Sequence, residues 1–454
     1  MKTTSFSQIS KLTFKQLNKK VSLYVWIISI NEKGNSLWFI IGQDSSGCIQ
    51  IVVKNEKLIS RLKKNKKGDL LKIKGIIKKK NLSEKMKKNF EEELEIKLTE
   101  FKLVNTNNSD KDLPSPFVNI KEDSKYRYRY LDLRNLSSKK PLLIKNKFCY
   151  ELRKFLYKQG FIDVETPILA QNSPEGANCF VVPSNLEKRF YTLPQSPQIF
   201  KQLLMIGGLN KYYQIAKTFR NEGARSNRQI EFLQLDLEIS FSTTQQIQRI
   251  IEKLLKNVLK KTFNLEIKIP FSYLTYEEAI KKYNTDKPDL RKNSTSGELS
   301  FLWIIDWPLF HYNIETEKYE SLRHPFTAPQ KKYIKPLLNN RVNPEKVISE
   351  AFDLVCNGEE ILSGGQRINS RDLQEKVLEL LGYSKKKQTE NFSYFLQALE
   401  FAAPPHGGIG LGIDRLLAKI LNIENLKELI AFPKNIDGTC SLTKTPNLIT
   451  TVKD

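Results

Sequence analysis

The sequence predicts an α+β chain in which a small all-β region precedes a larger mixed one. Residues 1 to about 105 alternate short apolar runs with turns, whereas later segments place apolar residues at helical spacing around a long polar hairpin at 212–238. A length of 454 residues leaves room for two or three domains and a large core.

The early runs are Val21–Ile28, Leu37–Ile41, Cys48–Val53, Leu70–Ile77 and Leu94–Leu98. Five short strands with one kink at Gly75 predict a small barrel of the OB type over residues 1–105. Such barrels bind single-stranded nucleic acid on an open face by stacking bases on aromatics. Phe39, Trp38 and Gln50 are candidates for that face, although core packing is the commoner explanation for any one barrel aromatic. Lys78-Lys-Lys-Asn and Lys85-Met-Lys-Lys form a basic loop that reads either as solvated or as contacting phosphate.

Residues 106–140, with Pro114 and Pro116 in a polar cluster, read as a linker or hinge. Leu142, Leu143, Ile144, Phe148, Leu152, Phe155 and Leu156 then recur at helical spacing, and Gly160 stands where a helix would end. Residues 161–167 read as a strand stopped by Pro167. A polar loop holds Pro174-Glu175-Gly176, Gln195–Lys201 leads into an apolar helix, and Thr244–Phe263 is a second helical run.

The hairpin runs from Tyr212 to Glu238 around a loop with Asn221, Gly223, Ser226 and Asn227. Leu233, Leu235 and Leu237 alternate with Phe232, Gln234, Asp236 and Glu238, which predicts one face in a core and a free polar face as a candidate site floor. Arg220, Glu222, Arg225, Arg228 and Gln229 gather at its mouth, a charge pattern suited to polyphosphate. Taken alone, the hairpin is better explained as a solvated turn, because basic loops are common and only geometry distinguishes a site.

A glycine-rich stretch follows at 403–420, with Gly407, Gly408, Gly410 and Gly412 in a strand where another backbone or a flat ligand can approach. Asp414 and Arg415 then open an apolar helix whose N–H groups and arginine suit an anion. The spacing matches neither GxGxxG nor GxxxxGK[ST], which disfavours both common nucleotide folds.

Lys plus Arg number 74 against 50 Asp plus Glu, a formal charge of +24 that points to a polyanionic partner such as nucleic acid. The chain is rich in Lys, Asn and Ile throughout, so compositional bias explains part of that excess. Cys48, Cys149, Cys179, Cys356 and Cys440 are scattered without a CxxC pair, which argues against a zinc site and a disulfide framework and fits a reducing cytoplasm. No run of about 18 apolar residues occurs, so no membrane partner is expected.

Together, Phe219-Arg220-Asn-Glu222, Arg228-Gln-Ile-Glu-Phe232 and Gly410-Leu-Gly412-Ile-Asp-Arg415 resemble motifs 2 and 3 of the class II aminoacyl-tRNA synthetases, and Gly160–Pro167 resembles motif 1. Tyr128–Arg134, Pro174-Glu-Gly, the run from Pro194 to Gln202, Asp286–Arg291, His324-Pro-Phe-Thr-Ala-Pro and Ala431-Phe-Pro-Lys434 resemble the bacterial-type aspartyl-tRNA synthetase family. The resemblance covers nearly the whole chain. It implies an antiparallel sheet flanked by helices over 141–454, an anticodon-binding barrel over 1–105, and a homodimer built across Gly160–Pro167. It also implies that aspartate is joined to AMP from ATP and then transferred to tRNA(Asp), with tRNA(Asn) as an open second substrate.

By the same resemblance, Arg220 and Arg415 are catalytic. Arg220, Asn221, Glu222, Gln229, Phe232 and Glu360 bind ATP together with Gly412, Ile413, Asp414 and Arg415. Glu175, Gln198, Lys201, Arg220, Asp236, His324 and Arg367 bind aspartate, Lys201 and Arg367 taking its side-chain carboxylate. Asp353 and Glu360 hold Mg²⁺, while Phe39 and Gln50 meet the anticodon.

Three departures stand out. The large domain that bacterial relatives insert after the Asp-Leu-Arg at 289–291 is absent. Arg323 stands where the family often has the first of two histidines. The arginines that follow the tryptophan of the second barrel strand are replaced by Ile28-Ser-Ile-Asn31. A lysyl or asparaginyl relative is the nearest alternative, but Lys201 and Arg367 would repel an ammonium side chain. A non-catalytic tRNA-binding paralogue would be expected to lose an ATP arginine or a metal carboxylate, and none is lost here.

Overall fold

Alternation along β1 (Lys20–Lys33) buries Leu23, Val25 and Ile27, and the same period in β2 (Leu37–Gln43) and β3 (Cys48–Val53) buries Trp38, Ile40 and Ile51. Helix α1 (Glu56–Leu62), whose first N–H groups are capped by the Asn55 side chain, leads to β4 (Leu70–Lys79) and β5 (Leu94–Asn105). The strands close in the order β1-β2-β3-β5-β4, the predicted barrel. Gly75 marks an irregularity in the β4–β5 ladder, and a Cβ there would lie 2.3 Å from Ile96 Cγ2. Trp38 belongs to the core and not to the open face. Trp26 and the segment Ile28–Asn31 lie on the first strand, not the second, and Lys78 and Lys79 end β4 instead of sitting in a loop.

The computed structural model describes residues 7–34, 36–80, 94–109, 122–171, 178–223, 225–291 and 297–447. The rest of the basic loop (Lys85, Lys87 and Lys88), Pro114, Pro116 and the 174–176 loop with Glu175 lie outside the described residues. By contacts the chain divides into two units, one from the start to Leu142 together with the segment from Ser441, the other from Leu143 to Cys440. No helix of the described residues is long and apolar enough to cross a membrane.

Short helices α2 (Glu122–Arg127) and α3 (Arg129–Asp132) precede α4 (Leu136–Lys158), which begins six residues before the predicted periodicity. Phe148, Leu152 and Leu156 form its buried stripe. Gly160, at φ +76°, ends it, with the Phe161 N–H bonded back to the Leu156 carbonyl. The predicted strand at 161–167 shrinks to β6 (Ile162–Asp163), which pairs in parallel with β9 (Lys211–Phe219). Between them lie the β7–β8 hairpin (Val181–Pro183, Phe190–Thr192) and α5 (Gln198–Ile206).

β10 (Glu231–Ser240) completes the long hairpin and is followed by α6 (Thr244–Phe263), whose Thr243 and Gln246 form a capping box. Next come β11 (Ser272–Thr275), α7 (Tyr276–Tyr283), β12 (Phe301–Ile305), β13 (Phe310–Asn313), β14 (Lys318–Ser321) and α8 (Lys331–Leu338). β15 (Ala351–Cys356), β16 (Glu359–Gln366), α9 (Arg371–Leu380), α10 (Lys385–Leu399), β17 (His406–Gly412) and α11 (Ile413–Leu421) follow. One eight-stranded sheet runs β11-β12-β15-β16-β17-β10-β9-β6, antiparallel except at its two edges. Its apolar face, with Leu235, Leu237, Phe352, Leu354, Ile409 and Leu411, packs in one core with Ile247, Ile251, Leu255 and Val258 of α6. The opposite face carries the site.

Candidate active site

One row of residues crosses the middle of the sheet. Asp353 stands beside Ser363, Ser363 beside Gly410, Gly410 beside Asp236, and Asp236 beside Gln214. Residues paired across strands share a face, so Gln234 and Glu238, two positions either side of Asp236, belong to the same floor. The ladder between β15 and β16 pairs Leu354 with Leu362 but Val355 with Glu360, skipping Ile361. That bulge turns Glu360 onto the face of Asp353; without it Glu360 would point into the core.

A cavity of about 350 Å³ opens over this floor, a size ordinary for a small-molecule site. Its walls bring together Gln198, Lys201, Arg220, Gln229, Phe232 and Asp236 with Arg323, His324, Glu360, Arg367, Gly412, Asp414 and Arg415. The predicted free polar face is therefore not free: Asp236 and Glu238 are completely buried. Lys201 donates to Asp236 Oδ1 at 3.0 Å and to the Ile409 carbonyl at 3.1 Å, and its ammonium lies 3.3 Å from Glu238 Oε2. Arg367 Nε donates to Glu238 Oε1 at 2.8 Å, and Nη1 meets His324 Nε2 at 2.6 Å.

The glycines of β17 serve this network. A Cβ on Gly408 would lie 2.1 Å from Glu238 Oε2, and one on Gly410 would lie 2.3 Å from Gln234 Nε2. The close approach predicted for another backbone or a flat ligand is thus made largely by side chains of β10, with the Leu237 carbonyl also 2.1 Å from the Gly408 position.

Burial pushes the Glu238 carboxyl up, and Arg367 and Lys201 together outweigh that and bring it below its ordinary range. For Asp236, burial outweighs the pull of Lys201 and raises it. His324 is driven well below its usual value by burial and by Arg367, Lys201 and Arg323, so it is neutral and accepts from Arg367.

At the other end of the cavity the Arg220 guanidinium sits 5.3 Å from the Phe232 ring centroid. Arg415 opens α11, donates to the Glu360 carbonyl at 2.7 Å and pairs with Glu359 at 3.5 Å. Its neighbour Asp414 is held by Lys145 of α4 at 2.5 Å.

Several expected site residues are engaged within the protein or lie off the cavity. Gln229 gives both ends of its amide to the Lys434 backbone, which makes it a fastener of the 431–434 segment. Glu222 pairs with Arg228, and neither Asn221 nor Glu222 lines the cavity. Ile413 is fully buried in the core. Asp353 and Glu360 are not an open metal pair, because the Arg323 guanidinium ion-pairs with Asp353 and lies 3.7 Å from Glu360. Among the described residues no group of three or more His, Cys, Asp or Glu is arranged to hold a metal ion.

Gln234 and Glu238 were placed on the candidate floor but given no role, and Ser363 was missed. The alternation of β10 places Glu238 beside Asp236, a signal present in the sequence; Ser363 required the strand order. On the barrel, the register puts Phe39 and Gln50 on one outer face with Ser29 and Asn31, and Gln50 Nε2 donates to Glu95 at 2.9 Å.

Residues 121–436 match the family described as tRNA synthetases class II (D, K and N), and residues 21–104 match the OB-fold nucleic acid binding domain. An aspartate–tRNA(Asp/Asn) ligase of Dictyoglomus turgidum is 33% identical over 581 aligned positions, covering 96% of this chain and 95% of that one. The chain belongs to the aspartate–tRNA ligase family of class II synthetases. An aspartate–tRNA ligase of Staphylococcus saprophyticus is 30% identical with 96% of each chain covered. Because 581 positions are aligned to a chain of 454 residues, many positions of that relative have no counterpart here. The fold is that of the Pyrococcus horikoshii asparaginyl-tRNA synthetase solved with asparaginyl-adenylate (TM-score 0.76, 20% identity, 95% of this chain and 98% of that one). It is also that of an Entamoeba histolytica aspartyl-tRNA synthetase (TM-score 0.72, 21% identity, 95% and 91%).

Proposed function

We propose that this chain activates L-aspartate with ATP, releasing pyrophosphate, and transfers the aspartyl group to the 3′ end of tRNA(Asp). The observation that carries the reading is the buried Lys201–Arg367 pair at one end of a cavity whose other end holds Arg220, Phe232 and Arg415. An anionic side chain at the first end and a triphosphate at the second meet complementary charge.

The attacking α-carboxylate is already an anion, so the protein's task is positioning and charge neutralisation. Its oxygen attacks the α-phosphorus, and the bond to the pyrophosphate oxygen breaks with the electron pair leaving on pyrophosphate. Arg220 neutralises the charge gathered between the two reactants, while Phe232 and Arg415 hold the adenine. Lys201 donates to Asp236 and the Ile409 carbonyl and lies 3.3 Å from Glu238, so it acts as fixed charge behind the substrate. Arg367 has five, of which Glu238 and His324 engage three among the described residues, leaving it to take the side-chain carboxylate directly. Glu175 takes the substrate ammonium. Asp353 and Glu360 carry no step, and Mg²⁺ enters as the counter-ion of ATP.

Residues 1–105 form the anticodon-binding domain, residues 106–140 the linker and residues 141–454 the catalytic domain. The protein works as a homodimer across Gly160–Pro167, in the cytoplasm, where reduced cysteines persist. Charging of tRNA(Asn) with aspartate is a second reading, favoured because relatives named aspartate–tRNA(Asp/Asn) ligases are 30–33% identical to this chain. The test is to charge both purified tRNAs with aspartate. Product on tRNA(Asp) alone supports the discriminating enzyme, product on both supports the second reading, and product on neither refutes both.

A further inference from the structure

Arg323 of the segment after β14 enters the floor from the side and stacks on Trp307, its guanidinium carbon 3.5 Å from the ring centroid. From there it ion-pairs with Asp353, which is 2% exposed, and reaches Glu360 at 3.7 Å. The side chain is only 15% exposed, yet it lines the cavity. Trp307 is itself pinned, buried and donating through Nε1 to the Ile304 carbonyl. The guanidinium is therefore a planar cation clamped between an aromatic face and two carboxylates that the sheet register and the Ile361 bulge turn to the same side.

The same two carboxylates are the only pair that the family resemblance offers to a divalent ion. A metal bridging them would have to displace a stacked, half-enclosed guanidinium or sit against its charge, and in a poorly solvated pocket that repulsion is large. Mg²⁺ demands near-ideal octahedral geometry and gives up water reluctantly, so a site already filled by a fixed cation is a poor competitor for it. A guanidinium also suits phosphate oxygens, because its N–H groups match their spacing.

We propose that Arg323 is a resident cation that replaces a protein-held divalent ion between Asp353 and Glu360 and binds the ATP phosphates directly. Divalent ions then reach the site only as the counter-ion of the nucleotide. This inference rests on the ATP-dependent ligase reading, but its first test does not depend on that activity.

Mn²⁺ binding to the nucleotide-free full-length protein is followed by the loss of the free-ion paramagnetic resonance signal. Wild type and Arg323→Lys are expected to take up no stoichiometric ion, whereas Arg323→Gln gains one with an affinity at least about tenfold higher. Stoichiometric uptake by the wild type overturns the proposal, whether or not Arg323→Gln folds. Equilibrium dialysis of ATP in EDTA is the second arm: Arg323→Gln should weaken binding at least about tenfold relative to wild type, and unchanged binding overturns the phosphate contact. Wild-type protein that excludes Mn²⁺ and binds ATP in EDTA but shows no aspartate-dependent pyrophosphate exchange would sink the ligase reading and leave the role of Arg323 standing.

Discussion

Lys201 on α5 and Asp236 on β10 form a 3.0 Å ion pair with neither side chain more than 2% exposed. Two charges taken out of water stabilise one another only while both remain, and removing one leaves the other uncompensated. Lys201→Met should therefore destabilise the catalytic unit by about 3–5 kcal/mol, with Lys201→Met/Asp236→Asn recovering part of the loss. Urea denaturation of the two variants checks this; a double variant less stable than the single would mean that the pair is not the unit of stability.

Backbone space gives a second prediction. At Gly408 an added Cβ meets the Leu237 carbonyl and the Glu238 carboxylate, both held in place, whereas at Gly410 it meets the end of the flexible Gln234 side chain. Gly408→Ala should cost about 1–3 kcal/mol and Gly410→Ala clearly less. Melting temperatures of the two variants rank them, and a reversed order would contradict the assigned contacts.

Arg220 contributes charge where the triphosphate and the substrate carboxylate meet. Its replacement by Ala should slow aspartate-dependent pyrophosphate exchange by roughly 2.7–4 kcal/mol in barrier, by analogy with the loss of an oxyanion donor, while circular dichroism stays that of wild type. Exchange within a few-fold of wild type would remove Arg220 from the mechanism.

His324 sits among Arg367, Lys201 and Arg323, and burial followed by those charges holds it well below its usual value. Burial also lowers His406, with Glu238 opposing. Both hold a proton less readily in the fold than in the unfolded chain, so around and below about pH 6.5 the unfolded state binds more protons and stability falls as pH drops. The loss is at most about 1.4 kcal/mol per pH unit for each histidine. Urea midpoints between pH 7.5 and 5.5 should decline, and more shallowly in His324→Asn; an identical slope would show that His324 does not contribute.

The barrel was legible because its core is written in a period of two, and the hairpin because nine ladder pairs from Phe219–Glu231 to Lys211–Ile239 need only local alternation. Lys201, Asp236, His324 and Arg367 came from resemblance, since residues that far apart meet only through strand order. The Ile361 bulge left no mark in the sequence, so nothing there showed why Glu360 faces Asp353 and not the core. Arg323 was visible as a departure, but its consequence needed Trp307, which β12 positions from elsewhere in the chain. For Gln229 and Ile413 a motif gives positions without saying whether a side chain or its backbone faces the cavity, and the structure places the one side chain on the Lys434 backbone and the other in the core.

The central claim is that buried cations select an anionic side chain, and pyrophosphate exchange by the wild-type enzyme with aspartate, asparagine or lysine at equal concentration tests it most directly. The account predicts exchange with aspartate at least about a hundredfold faster than with either of the others, because an amide or ammonium side chain cannot match the Arg367 N–H groups that Glu238 and His324 leave over. Equal exchange with asparagine would contradict it.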